Sequence, residues 1–110
     1  MPHFRFRAVE RETVQVLSKT LIDELQPVMD CPREDFTFEL IATEFFLEGE
    51  VSSAYPFVEV MWFDRGQDKQ DICAKAITEQ VRQSLGKDVD VAVIFTALSP
   101  SQYYDNGEHY

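Results

Sequence analysis

The chain has 110 residues, 45% of them hydrophobic, and carries 20 acidic side chains against 10 Lys and Arg for a formal net charge of -10. That length fits one domain with a two-layer core and no second one, and the acidic field excludes nucleic acid and disfavours anionic lipid, since both need a basic face. No apolar run nears the roughly 18 residues of a membrane span, and the start HFRFR is neither a secretory signal nor a transit peptide, so a cytoplasmic protein is expected.

In chain order, alternation of apolar and polar residues predicts a strand over 3–9, introduced by Pro2. Glu10-Arg11 follows. Val14, Leu17, Leu21, Leu25 and Val28 recur at helical spacing and predict a helix over 13–30, with Pro27 distorting its last turn. The longest alternating segment, 35–45, predicts a second strand, and an irregular stretch over 47–55 follows it. From Pro56 the pattern returns: a strand over 57–63, the pair Asp64-Arg65, and a second helix from about Asp68 that stops at Gly86. Asp68 and Asp71 have the spacing of a capping box. A last strand is predicted over 89–97, and the polar tail 100–110 is expected to fray or to dock on a neighbour.

The two halves thus match at an offset of about 54 residues, a period that marks duplicated supersecondary units. The fold class is α+β: a duplicated βαβ unit with pseudo-repeats 2–46 and 56–99 in a single domain. Side chains two apart on a strand share a face. One face, including Phe4, Phe6, Phe38, Val58, Val60, Trp62, Val93 and Phe95, is uniformly apolar and is expected to carry both helices. The other mixes His3, Arg5, Arg7, Glu39 and Glu59 with Phe57, Met61, Phe63 and Ile94, and is too apolar for solvent. It predicts a homo-oligomer built through the sheet, with Arg5 and Arg7 paired to Glu39 and Glu59. Loss of one partner from a buried pair costs about 3–5 kcal/mol.

The Met-Pro start leading at once into a strand, the acid-Arg pair after that strand, Thr43-Glu44 closing the second, and the duplicated βαβ unit together resemble the tautomerase superfamily of macrophage migration inhibitory factor and 4-oxalocrotonate tautomerase, in an uncharacterised bacterial branch. The resemblance covers nearly the whole chain. It implies a four-stranded mixed sheet with two helices on one face, a homotrimer, and Pro2 as the proton carrier of a keto-enol tautomerase acting on small keto acids. It also implies Arg65 and Arg11 as binders of a substrate carboxylate. At Glu39 the chain departs from those tautomerases that place an arginine on the second strand.

Chemistry supports the proline assignment independently. A free secondary amine is one basic nitrogen on a rigid ring, and burial beside cations lowers its pKa toward neutrality. While Met1 is attached, that nitrogen is a tertiary amide and has no basicity. Tyr55, Tyr103 and Tyr104 are candidates to line a pocket beside Pro2. Cys31 and Cys73 are widely separated and read as free thiols. No metal site is expected, because His3 and His109 lack ligand spacing, and no cofactor, because neither a P-loop nor a dinucleotide fingerprint occurs. The competing readings are a non-catalytic oligomeric scaffold or a small-ligand regulator, of this fold or of a ferredoxin-like one with the same element order.

Overall fold

The computed structural model describes residues 1–110. In chain order it contains β1 (His3–Arg7), α1 (Arg11–Met29), a 3-10 turn (Arg33–Asp35), β2 (Thr37–Leu40), β3 (Phe45–Leu47), β4 (Glu50–Ser52), β5 (Phe57–Trp62), α2 (Gln67–Leu85), β6 (Ala92–Ala97), a second 3-10 turn (Pro100–Gln102), β7 (Tyr104–Asp105) and β8 (Glu108–His109). Four strands form a mixed sheet in the order β2-β1-β5-β6. Within each repeat the pairing is parallel, His3 opposite Thr37 and Phe57 opposite Ala92, and the repeats meet antiparallel where β1 pairs with β5. Each repeat closes its own βαβ unit, which rules out the split arrangement of a ferredoxin-like sheet. The two prolines occupy matching places. The Pro2 carbonyl accepts the Thr37 N–H at 3.1 Å, and the Pro56 carbonyl accepts the Ala92 N–H at 3.0 Å.

The core lies between the sheet and the two helices. Phe4, Phe6, Val58, Val60 and Trp62 from the central strands meet Leu17, Leu21, Leu25 and Met29 of α1 and Cys73, Ile77 and Val81 of α2, all essentially solvent-free. Phe4 stacks on Phe38 with ring centroids 4.6 Å apart, and Trp62 packs on Phe95 at 4.9 Å. The helices are tied to each other by Gln80, whose Nε2 donates to the Thr20 carbonyl at 3.1 Å and to Glu24 Oε1 at 2.6 Å.

Several element boundaries depart from the sequence reading, each for a local reason. β1 ends at Arg7 because Ala8 adopts φ 59°, a left-handed conformation that breaks an extended strand. β2 is only four residues long, since residues 33–35 coil into a 3-10 turn before it and the chain leaves β1 after Ile41, whose N–H donates to the Phe6 carbonyl at 2.9 Å, to pair again as the β3–β4 hairpin. The stretch 47–55 is therefore not irregular throughout: β3 and β4 pair antiparallel across Glu48-Gly49, with positive φ at both. β6 begins at Ala92 rather than residue 89. The Asp68/Asp71 capping box does not form; Gly66 precedes α2, Asp64 Oδ1 accepts the Gly66 N–H at 2.8 Å, and Asp71 accepts from Gln67. Pro27 does lie in the last turn of α1, which ends on Asp30 in a left-handed cap.

Candidate functional site

Strand direction decides which candidates can meet. Because β5 runs antiparallel to β1, Arg65, just past the end of β5, arrives beside the start of β1 and Pro2. Arg11 follows the opposite end of β1, about 16 Å away for five extended residues. Within one chain the structure brings together Pro2 and Arg65 but not Arg11.

The Pro2 ring is fully buried. Burial, and after it the Arg65 guanidinium, hold the Met1 α-amine below its ordinary value, while Cys31 and Asp35 act the other way. Arg65 is itself fixed: Nε donates to the Met29 carbonyl at 2.9 Å and Nη1 to the Phe63 carbonyl at 2.7 Å, and its guanidinium lies 5.3 Å from the centre of the Trp62 ring. It thereby satisfies a terminal carbonyl of α1 and holds a positive charge at the start of β1. The half-buried Cys31 thiol, pushed up chiefly by burial, belongs to the same group.

His3, on the open face next to Pro2, has both ring nitrogens engaged. Nδ1 lies 2.6 Å from Thr37 Oγ1, and Nε2 lies 2.7 Å from the Tyr103 hydroxyl. Burial, then the charge of the α-amine, hold His3 below its ordinary value. The Tyr103 hydroxyl is pushed up, first by burial and then by Asp105 and Asp35. Tyr103 also meets Phe63 edge-on, and Tyr110 stacks on Phe63, so the chain's end packs against its beginning. Of the three tyrosines expected near Pro2, only Tyr103 is there. Tyr55 stacks on Phe57 at the other end of the sheet, and Tyr104 is exposed against His109. Sequence reasoning missed His3, Thr37, Cys31 and Asp35, because their approach depends on strand register and on how α1 ends.

On the open face Arg5 Nε donates to Glu39 Oε1 at 3.0 Å, and Glu59 Oε1 lies 3.5 Å from Arg5 and 3.9 Å from Arg7. These side chains remain 22–59% exposed in the single chain. The range of about 3–5 kcal/mol for buried pairs therefore gives way to roughly 0–1 kcal/mol for solvated ones. No three His, Cys, Asp or Glu side chains gather in a metal-binding arrangement.

A duplicated βαβ sheet with helices on one face defines the tautomerase-superfamily fold, and solved members share it. A fused 4-OT asymmetric trimer superposes with a TM-score of 0.81 at 14% identity over 97% of this chain and 94% of that one. The macrophage migration inhibitory factor-like protein of Entamoeba histolytica gives 0.73 at 12% identity over 99% and 98%. The chain itself belongs to the family described as a domain of unknown function, DUF1904, matched over residues 1–109. A Vibrio cholerae protein of unknown function is 49% identical, with a TM-score of 0.90 over 99% of this chain and 87% of that one. A DUF1904 structure from Sebaldella termitidis is 37% identical, with a TM-score of 0.92 over the full length of both. An uncharacterized sugar kinase of Dictyostelium discoideum is 27% identical over 96 residues, and the chain spans only 27% of that protein's length.

Proposed function

We propose that this chain is a cofactor-independent keto-enol tautomerase of small keto acids, working in the cytoplasm as a homotrimer. Pro2 carries the proton once Met1 has been removed, and Arg65 orients the substrate carboxylate. The setting of the chain's start supports this reading. The Pro2 ring is buried, and the amine one residue ahead of it is already held down by burial and by Arg65. A secondary amine there meets the same two influences, which favour the neutral, proton-accepting form. Nη2 of Arg65 makes no hydrogen bond within the chain and is the edge left for a carboxylate. Assembly is supported by the half-apolar open face and by the trimer of the fused 4-OT.

A second reading, a non-catalytic oligomeric scaffold, is favoured by the two carbonyls that already occupy Arg65 and by the carboxylate of Glu39 on the same sheet. Intact mass of protein from its own host separates the two first. Removal of Met1, followed by a loss of about 100-fold or more in kcat/KM on phenylpyruvate in Pro2→Ala, is expected for the enzyme. Retained Met1, or an unchanged rate in Pro2→Ala, leaves the scaffold.

A further inference from the structure

Keto-enol exchange has a carbon side and an oxygen side. Pro2 and Arg65 account for the proton on carbon and for the carboxylate, which leaves the oxygen that becomes an enolate without a partner. Charge developing there needs a donor already in place. Among the groups gathered at the start of β1, the carboxylate of Asp35 only accepts, and the Cys31 thiol is a weak donor pushed up chiefly by burial. Both nitrogens of His3 are engaged, so the hydroxyls of Thr37 and Tyr103 remain.

Tyr103 is the better placed of the two. Its ring lies nearly parallel to that of His3 with centroids 5.8 Å apart, and it meets Phe63 and Tyr110 edge-on at 5.4 Å and 5.0 Å. The backbone is held as well: the Tyr103 N–H donates to the Pro100 carbonyl at 3.3 Å, and the Tyr103 carbonyl accepts the Tyr110 N–H at 3.1 Å. A donor fixed in this way costs no reorganisation when charge develops. The hydroxyl has one partner in the chain, His3 Nε2 at 2.7 Å, and the residue is half-buried, which leaves it reachable by a ligand. Burial first, then Asp105 and Asp35, keep the phenol protonated. A phenol is also nearer in acidity to an enol than an alcohol is, which strengthens its hydrogen bond to an enolate oxygen.

We propose that Tyr103 donates its hydroxyl to the carbonyl oxygen of the keto acid, and that His3 is the positioning residue that turns this hydroxyl toward the substrate. This rests on the proposed tautomerase activity and adds the group that serves its oxygen. The hydrogen bonds then run one way, because a hydroxyl and a neutral imidazole each have one proton to donate. The phenol oxygen accepts from His3 Nε2–H, and Nδ1 accepts from the Thr37 hydroxyl 2.6 Å away. The opposite run, with the phenol donating to Nε2, would aim no proton at the substrate. Across the strands His3 faces Met61 of β5 and Thr37 of β2, both uncharged, so its ring is kept neutral by burial and by the α-amine. Pro2 still carries the transferred proton: the substrate C–H breaks as the Pro2 N–H forms, and that N–H then yields the enol O–H. Tyr103 lends only a hydrogen bond, which strengthens as the oxygen gains charge.

The test uses the full chain with Pro2 exposed as its first residue, and circular dichroism checks the folding of each variant. Tyr103→Phe keeps the ring contacts and loses the hydroxyl. On phenylpyruvate it is expected to lose about 100-fold or more in kcat with KM little changed, the mark of a donor that acts in the transition state. His3→Leu is expected to lose kcat too, and His3→Gln to lose less, since its amide N–H can still donate to the phenol. NMR of protein labelled in the histidine ring nitrogens, with His109→Gln assigning the signals, is expected to show the His3 proton on Nε2 at neutral pH. A ring protonated on Nδ1 overturns the proposal whatever the rates. So does a Tyr103→Phe rate equal to wild type while Pro2→Ala is impaired, a result that spares the tautomerase. Equal losses in His3→Gln and His3→Leu overturn the part given to His3. A wild type without activity, or Pro2→Ala at full rate, removes the tautomerase and its oxygen-side donor together.

Discussion

His3 shows how much one residue's setting determines. It is flanked by Thr37 and Tyr103, and the charged group acting on it is the α-amine at the chain's start. Its folded-state pKa lies below the ordinary value of about 6.5, so the folded protein prefers the neutral ring. The contribution to stability is whole above about pH 6.5 and is lost as pH falls through the folded value. Melting temperature is therefore expected to drop more steeply between pH 7 and 5 in the wild type than in His3→Gln, and parallel profiles would show that the ring is not held neutral. The thiols give a second expectation at this scale. Cys73 is buried and pushed up to about 11. Alkylation by iodoacetamide at neutral pH is expected at the half-buried Cys31 well before Cys73, since the thiolate is the reacting form; mass mapping of the labelled native protein decides it.

Among the elements, the helices and strand faces were legible because each rests on a period that the core enforces. Leu17, Leu21 and Leu25 had to share a face, and Leu21, fully buried against the sheet, is expected to cost about 2–5 kcal/mol when cut to Ala, read as a shift in the denaturant midpoint. The helix ends were legible, α1 stopping at the Asp30 cap and α2 at Gly86, whereas the strand ends were not. Ala8 takes a left-handed conformation that favours glycine or asparagine, and an alanine does not announce such a turn. The hairpin at Glu48-Gly49 carried a better signal, because Gly49 supplies a positive φ between the apolar run ending at Leu47 and Val51. The site was half legible. Pro2 and Arg65 could be named from the repeat and the resemblance, but their meeting, and the separation of Arg11 from both, follows from antiparallel pairing of β1 with β5, which no residue encodes alone. The pairing of Arg65 with the Met29 and Phe63 carbonyls also lay beyond sequence reasoning, since it depends on where α1 happens to end. Arg65→Gln is expected to loosen the last turn of α1 as well as the start of β1, seen as faster amide exchange at Asp30, whose N–H bonds to the Gln26 carbonyl at 2.8 Å.

At the scale of the whole molecule, shape and charge pull on assembly in opposite directions. The radius of gyration is 14.8 Å and the extents are 44 × 27 × 25 Å, against roughly 13 Å for a compact chain of about this length. The excess length is consistent with projecting arms. Bare apolar residues on the β3–β4 hairpin and on the open face favour association, whereas a net charge of -10 on every copy opposes it. The repulsion acts over the Debye length, about 30 Å at 0.01 M salt and about 8 Å at 0.15 M, while apolar contact is indifferent to modest salt. Close pairs such as Arg5–Glu39 are short and only partly screened. Raising salt from about 0.01 to 0.15 M therefore removes more repulsion than attraction. Sedimentation at micromolar concentration is expected to show the oligomeric fraction rising over that range. A fraction that fell instead would mean that ionic contacts between copies outweigh the apolar ones.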